Sequence, residues 1–84
     1  MPIKSSLSEE EKIVFNAIRE LEPKRLAYFK TIIEKSELPT AQTLSALFEL
    51  EKSGYVMSNW ITIITNDELH GVRRLDVKEY RTKN

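Results

Sequence analysis

Few side chains in this sequence have the type and spacing that chemistry requires. His70 is the only histidine and lies in a polar stretch, Asn66-Asp67-Glu68-Leu69-His70-Gly71, with no nucleophile motif beside it. A catalytic acid or base needs a reacting partner within hydrogen-bond reach, and a structural metal site needs about four ligands. His70 is therefore expected to be a solvated loop residue. Gly54 and Gly71 are the only glycines, which excludes a glycine-rich phosphate loop. Glu9, Glu10 and Glu11 follow Ser8 directly, so they are better explained as acids at the positive end of a helix dipole than as acid–base groups. No enzyme, cofactor or metal is expected.

Groups suited to nucleic acid are more plentiful. Thr40, Ala41, Gln42 and Ser45 open a helix with small or uncharged polar side chains. A glutamine amide can bond adenine in two places, and Thr40 or Ser45 could reach a phosphate. Equally, Thr40 serves as a cap and Gln42 as a solvated surface residue; both readings stand. Lys24, Arg25, Lys30 and Lys35 could grip a phosphate backbone or simply keep a helix face soluble. From residue 72 onward Arg73, Arg74, Lys78, Arg81 and Lys83 oppose only Asp76 and Glu79. Arginine is favoured in a narrow minor groove, which suits Arg73 or Arg74; charge on an edge strand also prevents aggregation.

The elements that must carry these groups follow from periodicity. Residues 1–7 are expected to form a loose arm. Ser8 and Glu11 have capping-box spacing and start a helix over residues 8–22, whose inner face is Val14, Ala17, Ile18 and Leu21. Pro23 ends it and is expected to open a second helix over residues 23–35, with Leu26, Phe29 and Ile33 inside and Ile32 beside them. Pro39 and Thr40 start the third, over residues 40–53, where Thr43, Ala46, Leu47 and Leu50 recur on one face. Gly54 supplies a left-handed stop. β-Branched and aromatic residues then predict a hairpin over residues 55–80.

Leu47-x-x-Leu50-Glu51-x-x-Gly54-Tyr55-Val56 resembles the end of the recognition helix in winged helix-turn-helix regulators. The PadR and MarR types are most similar, and Trp60 in the first wing strand with Arg73-Arg74 opening the return strand favours PadR. The resemblance spans Leu7 to Thr82. It implies an α+β winged helix, a three-helix bundle with a helix-turn-helix and a C-terminal two-stranded wing. It further implies a regulator of transcription that binds double-stranded DNA as a homodimer. The dimer contact is expected from the arm and first helix, or from the apolar wing strand.

Some residues depart from that pattern. Phe48 and Glu49 stand where those families carry polar or basic groups. Leu44 and Phe48 widen the apolar arc of the third helix, as core if the helix is rotated, otherwise as a partner surface. The strand Trp60-Ile61-Thr62-Ile63-Ile64 is apolar on both faces, so something is expected to cover it. The alternative function is a protein-interaction module that works through Leu44, Phe48 and Trp60 without DNA.

Length and composition bound the rest. Eighty-four residues make one domain with a core too small to flank a deep cleft. Thirteen basic residues balance thirteen acidic ones, which argues against a general polyanion binder, although a local patch decides DNA affinity. The absence of cysteine suits a reducing cytoplasm. No membrane span and no signal peptide are expected.

Overall fold

The computed structural model describes residues 7–83. Three helices precede one hairpin: α1 (Glu9–Leu21), α2 (Phe29–Ser36), α3 (Thr40–Lys52), β1 (Val56–Asp67) and β2 (Gly71–Thr82). The layout is α+β and winged-helix-like, as expected. The expected loose arm lies outside the described residues except for Leu7, which is half-buried and packs on the core.

α1 begins as its sequence dictates. Ser8 Oγ accepts from Glu11 N–H at 3.1 Å, and Glu11 Oε1 accepts from Ser8 N–H at 3.0 Å, so two otherwise unpaired donors are satisfied reciprocally. Val14, Ala17 and Ile18 are buried, whereas Leu21 is only half-buried.

The second helix differs from expectation. The chain leaves α1 through a 3₁₀ turn at Glu22–Lys24, takes the left-handed region at Arg25 (φ 60°), and runs extended until α2 starts at Phe29. Tertiary pairing overrides the helical pattern here. The Ala27 carbonyl, which a continuous helix would use internally, accepts from Tyr80 N–H at 2.8 Å, and Tyr28 bridges Glu79 antiparallel. Leu26, expected inside, is thereby turned out to solvent, and Ile32 rather than Phe29 or Ile33 is the fully buried residue of α2. Thr31 Oγ1 accepts from Tyr28 N–H at 3.0 Å and donates to the Leu26 carbonyl, closing the new N-terminus.

α3 buries Thr43, Ala46, Leu47 and Leu50 as its periodicity requires. Pro39, not Thr40, is its N-cap, so the expected capping role of Thr40 is corrected. Proline offers no side-chain acceptor, and Thr43 Oγ1 instead donates to the Pro39 carbonyl at 3.2 Å. At the other end Gly54 (φ 85°) provides the left-handed turn. Tyr55 N–H reaches the Leu50 carbonyl at 2.9 Å and Gly54 N–H that of Glu51 at 3.1 Å, a double closure that delivers the chain into β1.

β1 and β2 pair from Val56↔Thr82 to Asp67↔Gly71 without a bulge, so each strand has 12 residues, about twice the usual length. The expected turn of residues 66–71 tightens to 68–70. Val56 and Tyr80 enter the core at the base of the hairpin, and Glu22 ties its end by accepting from Thr82 N–H at 2.6 Å. The distal part extends away from the helices, giving principal dimensions of 51 × 24 × 19 Å.

Candidate nucleic-acid interface

Helical geometry decides which α3 side chains face outward. At about 100° per residue, Ala41, Ser45, Phe48 and Lys52 fall opposite the buried set of Thr43, Ala46, Leu47 and Leu50. Phe48 is 64% exposed, with Lys52 Nζ 6.0 Å from its ring centroid. Gln42 falls on the flank toward α1. There it lines a cleft of about 460 Å³ with Ser45, Glu10, Glu11 and Glu49. Carboxylates on that wall repel phosphate, so the flank that holds Gln42 is the anionic side of the helix. Thr40 is exposed at the first turn. Leu44 is 51% exposed on the other flank, so neither it nor Phe48 is core and the rotated-helix reading is corrected.

The basic residues of the helical body are partly committed. Arg25 Nε donates to Glu79 Oε2 at 2.8 Å, and Lys35 Nζ donates to Glu20 Oε1 at 2.8 Å. These bonds hold the Glu79 and Glu20 carboxyls below their ordinary range. Lys24 and Lys30 make no ion pair among the described residues and are exposed.

Arg73 and Arg74 lie near the wing tip, exposed and without an ion pair among the described residues. Arg73 stands opposite Thr65 and Arg74 opposite Ile64, so the two project from opposite faces of the hairpin. Arg74 shares its face with Lys78 and Tyr80. Lys78 Nζ lies 6.0 Å from the Trp60 ring centroid and 5.9 Å from that of Tyr80. Burial pushes the Tyr80 hydroxyl up, with Glu51 adding to the effect. The tip itself is locked by Asp67, whose carboxylate accepts from Leu69 N–H at 2.9 Å and lies 3.1 Å from His70 Nδ1. Those bonds lower the Asp67 carboxyl. His70 is thus an exposed turn residue.

Lys52 and Lys78 also belong to this surface, Lys52 outside the residues expected to bind and Lys78 expected only as part of the basic excess of the last strand. The signal for Lys52 was present in the periodicity, since it stands seven residues beyond Ser45 on the same face. Lys78 could be placed only by strand register. Between the body and the wing, Phe29, Leu44, Trp60, Leu75, Val77 and Tyr80 line an apolar groove of about 640 Å³. Among the described residues no helix is long and apolar enough to cross a membrane. Comparison with protein-family models, with curated proteins and with solved structures gives no match.

Proposed function

We propose that the chain is a small winged-helix protein that binds double-stranded DNA and regulates transcription, a PadR- or MarR-like regulator acting as a homodimer. The observation that carries this reading is the wing. Uncompensated arginines stand near the tip of a long hairpin that issues directly from a helix-turn-helix, where a minor groove or phosphate can be reached. On α3 the outward line of Ala41, Ser45 and Lys52 supplies small, polar and cationic contacts, while Glu49 disfavours phosphate on the Gln42 flank. The wing therefore supplies most of the affinity, and base reading by α3 adds modest specificity.

The test is an electrophoretic mobility assay with random and genomic duplexes at low salt, followed by a salt titration. A shifted complex that weakens steeply with salt supports the reading. Failure to shift any duplex at low ionic strength overturns it.

One specific observation favours a second reading, a protein-interaction module. Leu44, Phe48 and Trp60 are all more than half exposed, Leu44 and Trp60 lining the apolar groove and Phe48 one turn beyond Leu44 on α3, more apolar surface than a DNA-facing helix requires. In that case Phe48→Ala abolishes capture of a protein partner, while Arg73→Ala and Arg74→Ala do nothing.

A further inference from the structure

The edges of the wing sheet are unequal. β2 pairs with β1 on one side and meets Tyr28 on the other, whereas β1 pairs only with β2 among the described residues. Its outer edge is a row of backbone donors and acceptors over 12 residues. Edge strands are normally blunted by lysine, proline, a bulge or shortness. β1 has none of these: residues 56–66 contain no charge and no proline, and the register runs without interruption.

We propose that this edge pairs antiparallel with the same edge of a second copy, with the two-fold axis at Thr62. The inference goes beyond DNA binding and stands without it. Its basis is that the strand is self-complementary about that residue. Centred on Thr62, Trp60 faces Ile64, Ile61 faces Ile63, Thr62 faces itself, and Asn59 faces Thr65. From residue 58 to residue 66 apolar therefore meets apolar and polar meets polar on both faces. Centring on Ile61 would place Asn59 against Ile63, and centring on Ile63 would place Trp60 against Asn66. Asp67, the sole charge of β1, falls opposite Met57, so no like charges meet.

The size is modest. In that register residues 57–67 pair along a seam about 36 Å long. Trp60 and Ile64 are 69% and 65% exposed in the single chain, and an aromatic alone can bury about 150–250 Å². With Ile61 and Ile63, which are half-buried, the exposed apolar side chains amount to on the order of 400 Å² per copy, so the seam is a small interface in which main-chain hydrogen bonds carry much of the affinity. Arg73, Arg74 and Lys78 belong to β2, the outer strand of the resulting four-stranded sheet, and remain exposed.

The chain has no native cysteine, so single-cysteine variants test the register directly. Under mild oxidation, Thr62→Cys forms a disulfide-linked dimer. Asn59→Cys and Thr65→Cys each fail alone but link when mixed. In sedimentation equilibrium at about 100 µM without DNA, the native chain is dimeric. Ile64→Lys weakens the dimer at least about tenfold while its circular dichroism spectrum is unchanged, because the substituted side chain is exposed in the monomer. A monomeric native chain overturns the proposal, as does a dimer in which Thr62→Cys does not cross-link or Ile64→Lys has no effect. A monomeric native chain would also remove the homodimer from the proposed function, but none of these measurements involves DNA, so their failure is separable from failure of DNA binding itself.

Discussion

Arg25 and Glu79, far apart in sequence, are joined by a two-pronged ion pair. Nε donates to Oε2 at 2.8 Å and a terminal guanidinium nitrogen to Oε1 at 3.2 Å. Arg25 holds left-handed backbone where the chain leaves α1, and Glu79 lies in β2 where Tyr28 bridges to it. The pair clamps the crossing of the helical layer onto the wing.

Acid should release that clamp. Glu79 is 4% exposed, and Arg25 holds its carboxyl below the ordinary value of 4.5. A carboxyl with a lowered folded value contributes stability that is complete above the unfolded value and is lost as pH falls through the folded one. Melting temperature should therefore drop more steeply below pH 4.5 in the native chain than in Glu79→Gln, which has no such group to protonate. Parallel melting curves from pH 7 to pH 3 would show that the pair contributes nothing.

Leu47 is 2% exposed in the core cluster that includes Val14, Ile18, Leu50 and Val56. Leu47→Ala should cost about 2–5 kcal/mol in urea unfolding, a large share of the stability of a domain this small. A loss well under 1 kcal/mol would show that the cavity closes by collapse.

The contrast between these sites explains what was legible in the sequence. α1, α3 and the glycine stop at Gly54 were readable because local signals there agree with the tertiary fold: capping box, apolar period and left-handed glycine. Residues 23–28 were not, because their irregular course, a 3₁₀ turn, a left-handed Arg25 and a bridge at Tyr28, depends on Tyr80 and Glu79 more than fifty positions away. Likewise the site was half legible. The wing arginines follow from composition, and Glu49 shares the Gln42 flank by helical periodicity, but that Gln42 also faces Glu10 and Glu11 depends on how α1 packs beside α3.

Among the described residues two non-glycine residues hold left-handed backbone, and they should respond oppositely to glycine. Glu37 (φ 60°) ends α2, is exposed, and makes no side-chain bond among the described residues. Removing its Cβ strain should outweigh the greater freedom of glycine in the unfolded chain, so Glu37→Gly gains about 0.5 kcal/mol. Arg25→Gly relieves the same strain but strands the Glu79 carboxylate, and its melting temperature should fall. Thermal melts of the two variants side by side distinguish them; equal shifts would mean that the ion pair is silent.

The DNA reading makes its sharpest prediction through the opposed faces of the wing. Arg73 and Arg74 project to opposite sides, so only one of them can follow a single groove or phosphate track. One of Arg73→Ala and Arg74→Ala should weaken binding to every duplex about equally and lower the salt slope by roughly 0.9 per lost phosphate contact. The other should have little effect. Arg74 is the stronger candidate because it shares its face with Lys78, with Asp76 between them engaged by Thr62. Gln42→Ala, on the anionic flank of α3, should change affinity by less than the roughly 1–3 kcal/mol of a base-reading contact. Ser45→Ala, on the outward face, should lower affinity for the preferred site while leaving non-specific binding intact. Fluorescence anisotropy over a salt series, with preferred and random duplexes, separates these outcomes. If both arginines can be removed without altering the salt slope, the wing does not touch DNA and the protein-interaction reading replaces this one.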